Sequence, residues 1–515
     1  MSSLHEMSAV ALRALLLRGE VSPLDVVQAF LDRVRLLDLT ERPIGTPRPI
    51  GAFTELSAES ALERARSLTQ TGMRLPHSAA QHPLWGLALA DKDLYDRSGS
   101  VTRYGSRVHA TTPATETHPM LAATDAAGAV SIGRTSTLEF GLSGYTEPDA
   151  GRPALNPWKL SRNAGGSSGG AAAAVASGML PFAVGTDGGG SVRIPAASCG
   201  LVGMKLSRDL FCLKGFEARR ATAADDLEPD APELDLVVPG PIAHSVADAA
   251  LLVDGLLGGL ARLRGARHPY ASGPGRNGTS ATPLADSVAP AKVRSGEASP
   301  GRLRVGVLQG SPWDAFVQVR VSVEAAAQVS RIADLLDEGG HDVRSLRLPD
   351  SVEYGQSFSA VWQMGAAGLP IPSNRIDEVE PLTQWLIHSG RALSRATKTR
   401  ALRYLHDYGE RVTAAFAPWD VVLTPALALT ARPNGWFDTA DARRNFAEQG
   451  AFTPFTSFVN VSGAPAIVIP TGLARDGLPL GVQLIGRLGH DDHLLRIAAE
   501  IERLAAWSGH PWLYP

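Results

Sequence analysis

The sequence predicts an α/β fold, in which one mixed, twisted central β-sheet is covered by helices on both faces. Glycine-rich turns and alanine-rich helical segments alternate with short apolar segments, as is typical of such a sheet. The apolar segments with the length of buried strands are 87–90, 129–132, 181–184, 302–308, 419–427 and 463–473.

Helical periodicity is clearest in the segments that flank these strands. The first 35 residues contain two amphipathic stretches, and Gly19 and Pro23 separate them. Further helices are predicted at 57–70, 245–257 and 322–339. Residues 350–450 are helical in pattern, with scattered aromatic side chains and no clear motif.

Composition excludes several classes of partner. The 515 residues carry a formal net charge of −3 and no long charged block, which argues against nucleic acid and a membrane surface as partners. Cys199 and Cys212 cannot form a disulfide framework and lack metal-ligand spacing. The N-terminus lacks the features of a signal peptide and no long segment is strongly apolar, so we expect a cytoplasmic protein.

Three short segments carry residues suited to catalysis. Residues 90–93 read ADKD and place a lysine at the end of an apolar strand, where partial burial favours the neutral amine of a general base. Residues 165–170 read GGSSGG, and residues 185–195 read GTDGGGSVRIP. Glycines beside a serine let a substrate approach closely, and their exposed backbone N–H groups can stabilise an oxyanion. Serine with lysine is a known alternative to serine with histidine.

Each segment alone has an ordinary explanation. A single lysine is usually a solvated surface charge, and a Gly/Ser-rich loop is usually a turn or a linker. The GGSSGG segment also lacks the Gly-Lys-Ser/Thr ending of a phosphate-binding loop. Only the occurrence of all three segments together, in this order, indicates catalysis.

Together they resemble the amidase signature family. The segment 162–205, RNAGGSSGGAAAAVASGMLPFAVGTDGGGSVRIPAASCGLVGMK, is similar to the segment that defines the family. The resemblance spans most of the chain. It includes the opening helices, the lysine strand GLALADKD and the C-terminal patterns GAPA and GLPLGVQ.

The resemblance implies a Ser-cis-Ser-Lys triad. Ser191 would be the nucleophile that forms an acyl-enzyme, and Ser167 would be the cis-peptide serine that relays the proton to Lys92. It implies no cofactor and no metal. The backbone N–H groups implied for the oxyanion hole are those of Gly188, Gly189, Gly190 and Ser191. The residues implied to support them are Ser168, Asp187 and Arg193.

The resemblance also implies the organisation of the chain. Residues 1–515 would form one amidase domain with a catalytic core at about 84–205. A segment at about 262–301, rich in Ala, Arg, Gly, Pro and Ser, is predicted to be a loop insertion. A variable region at about 310–455 would face the substrate, and a homodimer is one option.

The chain departs from the family pattern at a few positions. Gly188 stands where Thr, Ser or Ile is usual, and Arg134 replaces a usual lysine. Residues 206–232 cannot be aligned with the family. None of these changes touches the triad, but they leave the substrate open.

Other reactive or aromatic residues have less specific interpretations. His490 and His493 are predicted to be part of a polar helix cap rather than a metal site, and Cys199 a buried structural thiol. Five aromatic residues of the variable region are candidates either for an acyl pocket or for the core: Tyr354, Trp362, Trp385, Trp436 and Phe437.

We therefore predict an amidohydrolase that cleaves a small-molecule carboxylic acid amide to an acid plus ammonia or an amine. Two alternatives stay open. One is the glutaminase subunit of a tRNA-dependent amidotransferase, which would need a partner subunit. The other is a non-catalytic binding relative, although all three triad residues are present.

Overall fold

The computed structural model describes residues 3–38, 49–74, 81–109, 111–211, 227–228, 231–264, 284–289 and 300–509. In these residues the strands are β1 Phe53–Leu56, β2 Ala88–Lys92, β3 Val130–Thr135, β4 Phe182–Asp187, β5 Val202–Lys205, β6 Val238–Ala243, β7 Arg304–Gln309, β8 Asp342–Arg347, β9 Val421–Pro425, β10 Ala466–Leu473 and β11 Pro479–Ile485.

The helices of the described residues flank these strands. They are α1 Ala9–Arg18, α2 Pro23–Asp38, α3 Ala58–Arg74, α4 Pro119–Ala126, α5 Gly169–Ala176, α6 Arg193–Ser198, α7 Val246–Leu263, α8 Leu284–Ser287, α9 Val323–Glu338, α10 Tyr354–Ala367, α11 Pro381–Ala392, α12 Arg395–Phe416, α13 Ala442–Phe452, α14 Ser457–Ser462 and α15 Asp491–Ala505. Short 3₁₀ segments lie at Leu4–Glu6, Glu139–Gly141 and Ser373–Glu378.

The predicted α/β class with mixed pairing is confirmed. A three-stranded sheet has the order β1-β3-β2, and an eight-stranded sheet has the order β4-β6-β5-β10-β11-β9-β7-β8. Both sheets combine parallel and antiparallel neighbours. The sequence predicted one central sheet, whereas the hydrogen-bonded ladder is divided in two, with β2 packed beside β4.

The helix that follows the GGSSGG segment consists of unusually small residues. All eight residues of α5 are buried, and all are Gly, Ala or Val. A Cβ added at Gly170 would lie 2.5 Å from the backbone N of Ser136 and 2.5 Å from the carbonyl O of Ala52. Only a helix of very small residues can therefore lie between the two sheets here, and the Ala/Gly-rich sequence follows from that close packing.

The less regular segments are described only in part. Helix α8 lies inside the predicted loop insertion at 262–301 and packs on α7, and the rest of that insertion is described only at its edges, 262–264, 288–289 and 300–301. Most of the unaligned segment 206–232 also lies outside the described residues, as does Cys212. The proposed domain boundaries stay a prediction. None of the helices within the described ranges is long and apolar enough to cross a membrane.

Candidate active site

Lys92 is the last residue of β2 and is only 1% exposed. Its strand position pairs with Thr135 of β3. The Nζ atom of Lys92 lies 2.9 Å from the Oγ atom of Ser167, within hydrogen-bond distance. A buried amine and a serine hydroxyl are therefore in direct contact, and a proton can pass between them.

Two arginines bind the carboxylates on either side of Lys92. Arg97 forms an ion pair with Asp91 through two guanidinium nitrogens. The Arg134 Nε donates to Asp93 at 2.8 Å, and both of these side chains are almost fully buried. A terminal nitrogen of Arg134 donates to the Tyr95 carbonyl at 2.8 Å. The ion pairs fix the chain before and after Lys92.

Ser167 lies in the glycine-rich loop that precedes α5, and it is 1% exposed. The peptide bond between Gly166 and Ser167 is cis. A Cβ added at Gly166 would lie 2.3 Å from the carbonyl oxygen of Tyr145, so only glycine allows the backbone to pass here. Thr146 accepts a hydrogen bond from the N–H of Gly169 at 3.2 Å, which ties the start of α5 to the 145–146 segment.

Ser168 joins the two serine loops through its backbone. Its N–H donates to the carbonyl oxygen of Ser191 at 3.2 Å. Its hydroxyl, which is fully buried, has no hydrogen-bond partner among the described residues. The supporting role implied for Ser168 is thus available through the main chain, and not through its side chain.

Ser191 follows three glycines after β4 and is 8% exposed. Gly190 has a φ of 129°, and a Cβ there would lie 2.6 Å from both Ile194 Cδ1 and Thr456 Oγ1. The Thr456 hydroxyl donates to the carbonyl oxygen of Gly189 at 2.6 Å. Backbone conformation and close packing therefore both require glycine at position 190.

The structure corrects one residue of the predicted oxyanion hole. The N–H of Gly190 donates to the Asp187 carboxylate at 2.8 Å, so this donor is already occupied. The N–H groups of Gly188, Gly189 and Ser191 make no hydrogen bond to another described residue. The prediction treated the consecutive glycines as equivalent donors. The sequence does not indicate that the Asp187 carboxylate accepts a hydrogen bond from the N–H of Gly190.

Asp187 and Arg193 form a fully buried ion pair beneath this loop. The Nε and one terminal nitrogen of Arg193 donate to the two carboxylate oxygens of Asp187 at 2.9 and 2.8 Å. Burial alone would raise the pKa of Asp187, but Arg193 and the amide of Asn460 lower it to about 2. The carboxylate is therefore ionised throughout the neutral pH range and can hold the loop.

Two residues from distant parts of the chain complete this network. Asn460 accepts from Arg193 at 2.7 Å and donates to Asp187 at 2.9 Å. Gln483 accepts from Arg193 at 2.6 Å and donates to Thr424 and to the Phe455 carbonyl. The pattern GLPLGVQ is part of the family resemblance, but the resemblance implied no role for Gln483. The sequence signal that could have found it is a single polar amide within the otherwise apolar segment PLGVQLI, which forms β11.

The candidate aromatic residues divide between different places. Trp362 lies beside the glycines that precede Ser191. Tyr354 is fully buried in the core, where its hydroxyl contacts Ser457, and Phe437 stacks on Tyr145. Trp436 lies against Phe437. Of the five, Trp362 is the residue found among the nearest atoms to Gly188 and Gly189.

Trp385 lines a separate groove of about 520 Å³. The groove lies between α10, α11 and α13, and Phe446 and Arg443 also line it. None of the lining residues belongs to the serine loops or to the end of β2. Trp385 is therefore not part of the wall around Ser191.

The burial of Cys199 agrees with a structural thiol, whereas His490 is the N-cap of α15 but makes no side-chain capping hydrogen bond. Cys199 is buried, burial raises the pKa of its thiol, and its Sγ lies 3.5 Å from the Ala164 carbonyl. The one group of described His, Asp and Glu side chains with ligand atoms close enough for a metal is His406, Asp407 and Glu410. It lies on α12 and includes neither His490 nor His493.

The fold and the paired glycine-rich serine loops define a hydrolase. A family model described as amidase matches residues 26–495. The chain is 32% identical over 505 residues to AmiB2 of Mycobacterium bovis, a protein classed as an amidase, covering 97% of this chain and 96% of that one. It is 33% identical over 412 residues to the 6-aminohexanoate-cyclic-dimer hydrolase of Paenarthrobacter ureafaciens, covering 74% of this chain and 75% of that one.

Solved structures agree with these relatives. The structure of 6-aminohexanoate cyclic dimer hydrolase complexed with substrate matches with a TM-score of 0.76 at 25% identity, covering 98% of both chains. Native peptide amidase from Stenotrophomonas maltophilia shares the fold, with a TM-score of 0.74 at 23% identity and 98% coverage of both chains. The chain belongs to the amidase signature family, and its reaction is the hydrolysis of an amide bond.

Proposed function

We propose that the chain hydrolyses carboxylic acid amides through an acyl-enzyme on Ser191, with Ser167 and Lys92 moving the proton. The single observation that carries the proposal is the 2.9 Å separation of Lys92 Nζ and Ser167 Oγ in a buried site. The residue after Ser167, Ser168, donates its backbone N–H to the carbonyl oxygen of Ser191. This main-chain hydrogen bond holds the two serine loops side by side, which is the arrangement that the proposed proton path needs.

In the first half of the reaction, Ser191 Oγ attacks the amide carbonyl carbon and gives its proton to Ser167. Ser167 in turn gives its own hydroxyl proton to Lys92. Burial disfavours the ammonium form of a lysine, which suits Lys92 to accept this proton. When the C–N bond breaks, the proton returns through Ser167 to the leaving nitrogen. Water then attacks the acyl-enzyme by the same proton path and releases the acid.

The oxyanion that forms during each attack would be bound by backbone N–H groups of Gly188, Gly189 and Ser191. Their lack of other partners among the described residues supports this assignment. Each well-placed donor of this kind contributes about 3–4 kcal/mol to transition-state stabilisation. Asp187 and Arg193 would act by fixing the loop that presents these donors.

The substrate we propose is a small-molecule amide. Among the relatives, the Paenarthrobacter enzyme is named for a cyclic amide, the cyclic dimer of 6-aminohexanoate. The named relatives do not favour a glutaminase subunit, and the presence of all three triad residues does not favour a non-catalytic protein. Cytoplasmic location, homodimer formation and independence from cofactors stay predictions.

The test is release of ammonia or amine from a panel of amides by the purified protein and by Ser191→Ala. The panel includes benzamide, an aliphatic amide, an anilide, a peptide amide, a cyclic amide and glutamine. We expect turnover of at least one member by the wild type and its loss in the variant. Mass spectrometry after rapid quenching should detect an acyl group on the wild type alone.

Ser177→Ala is the matched control, because Ser177 is also buried but donates only to carbonyl groups of its own helix, α5. This variant should keep wild-type turnover. Full activity in Ser191→Ala would refute the assignment of the nucleophile. Equal loss in Ser177→Ala would show that the assay reports folding rather than chemistry.

A further inference from the structure

The indole of Trp362 connects the two serine loops. Its Nε1 donates to the carbonyl oxygen of Leu142 at 2.9 Å. The preceding residue, Gly141, lies next to Ser167, since a Cβ added at Gly141 would be 3.4 Å from Ser167 Oγ. At its other end, the six-membered ring of Trp362 faces Gly188 and Gly189. One side chain therefore spans the gap between the segment beside Ser167 and the loop before Ser191.

The indole faces two positions of this loop that have no side chain, Gly188 and Gly189. A Cβ at Gly188 would lie 3.5 and 3.7 Å from ring atoms of Trp362, and one at Gly189 would lie 3.8 and 3.9 Å from the same atoms. A Cβ at Gly188 would also lie 3.1 Å from Val237. With glycine at both positions, no Cβ lies between the indole and the backbone that would carry the oxyanion donors.

The indole is held in this position by its neighbours. Phe358, one helical turn earlier on α10, stacks on it with ring centroids 5.5 Å apart and an angle of 18°. The Phe358 ring also reaches within 3.5 Å of the Cβ position of Gly189. Phe358 in turn contacts Trp313 at a ring-centroid distance of 5.5 Å. Trp362 therefore forms part of a fixed aromatic wall along the loop.

We propose that Trp362 determines specificity for the acyl part of the substrate, and this inference rests on the proposed function. A substrate carbonyl oxygen bound by the N–H groups of Gly188 and Gly189 places its acyl carbon beside this wall. Substituents on the carbon next to the carbonyl would then meet the indole. The site would accept amides whose acyl group is unbranched or planar at that carbon and would reject branched ones.

The test compares kcat/KM for butanamide, benzamide, isobutyramide and pivalamide in the wild type, Trp362→Ala and Trp362→Phe. We expect the wild type to prefer butanamide and benzamide. Trp362→Ala should raise the pivalamide-to-butanamide ratio by about tenfold or more, which is the discrimination that one or two methyl groups give in an apolar pocket. Trp362→Phe keeps a planar side chain and should give an intermediate ratio.

Trp385→Ala is the control, because Trp385 lines the separate groove and not the nucleophile loop. It should leave the ratio unchanged. A uniform fall of kcat for all four amides in both Trp362 variants, with no change of ratio, would overturn the inference and leave Trp362 a structural residue. If Ser191→Ala stayed active, the proposed function would fail instead, whatever the ratio in the Trp362 variants.

Discussion

Two lysines of this protein share a position in the fold but differ in their partners. Lys92 ends β2, Lys205 ends β5, and each is 1% exposed. Lys92 Nζ lies 2.9 Å from the hydroxyl of Ser167, whereas Lys205 Nζ donates to the backbone carbonyl of Leu206 at 2.9 Å. A hydroxyl can exchange a proton with an amine, and a carbonyl cannot. Burial at a strand end therefore does not by itself make a catalytic lysine.

The charges around the two lysines differ as well. The carboxylates next to Lys92 in the chain are bound by Arg97 and Arg134. Burial, followed by the nearby charge of Arg193, lowers the pKa of Lys205 to about 7, although Asp187 acts in the opposite direction. Lys205 is thus a titratable group close enough to the Asp187–Arg193 ion pair to feel its charges, although its amine donates to the Leu206 carbonyl.

The largest effect should separate the two lysines by activity. We expect Lys92→Met to lower kcat for the best amide by about a thousandfold or more, because it removes the proposed base of the triad. Lys205→Met should lower kcat by less than about tenfold, since the proposed proton path does not include it. Steady-state amide hydrolysis by the two variants is the measurement.

Both variants need a check of folding by circular dichroism and of assembly by size-exclusion chromatography. A matched loss of activity in the two folded variants would break the comparison, since it would assign the same importance to both amines. Full activity in Lys92→Met would refute the proposed base.

A second prediction concerns the partner of Lys92. Ser167→Ala removes the hydroxyl at 2.9 Å, and we expect it to lower kcat nearly as much as Lys92→Met. The double variant should lose little more, because residues that act as one unit are strongly non-additive. A double-mutant cycle on kcat measures this coupling. Independent, multiplying losses would contradict a shared proton path.

Sequence analysis predicted the fold class and the segments that carry the proposed chemistry. The strand predicted at 181–184 corresponds to β4, Phe182–Asp187, and the helix predicted at 322–339 corresponds to α9, Val323–Glu338. These elements were readable because their apolar or periodic patterns are local. Strand β8 was missed, since its sequence DVRSLR is polar and its residues are partly exposed at the edge of the sheet.

Parts of the candidate site were not predictable, because they depend on contacts between distant segments. The occupied N–H of Gly190 results from a turn that brings it to Asp187. The roles of Asn460 and Gln483 depend on their meeting Arg193, more than 260 residues earlier in the chain. The position of Trp362 depends on packing of α10 against the loop that contains Gly188 and Gly189. No local pattern records these contacts.

A third prediction moves from activity to stability. Asp187→Asn removes the charge that pairs with Arg193, and both side chains are fully buried. Leaving one charge of a buried pair without its partner costs about 3–5 kcal/mol. We expect a fall of this size in the free energy of unfolding, measured by denaturant titration, together with a loss of activity because the loop at Gly190 loses its anchor.

The matched control is Asp32→Asn, which removes the carboxylate of an exposed pair with Arg35 on α2. Surface pairs of this kind contribute about 0–1 kcal/mol, so the control should be close to wild type. An equally small effect of Asp187→Asn would mean that the buried network does not stabilise the fold.

The last prediction is a pH dependence that belongs to Lys205. Its pKa falls from an ordinary value of 10.5 to about 7 in the folded protein. Between these pH values the unfolded chain binds a proton that the folded protein does not, so this group makes stability rise with pH. The slope from one such group is at most about 1.4 kcal/mol per pH unit. Lys205→Met removes the contribution of Lys205 to the pH dependence of the unfolding free energy. Groups that titrate equally in the wild type and the variant cancel when the two unfolding free energies are subtracted.

Between pH 7 and 10, we therefore expect the unfolding free energy of Lys205→Met to compare most favourably with that of the wild type at pH 7. As the pH rises to 10, the unfolding free energy of the wild type should increase relative to that of the variant. Denaturant midpoints of both proteins at four pH values across this range measure the difference. Parallel curves would mean that Lys205 keeps its ordinary pKa, and thus its proton, inside the fold. In that case a charged amine would be tolerated at the end of β5, and burial would also be a weaker argument for a neutral Lys92 at the end of β2.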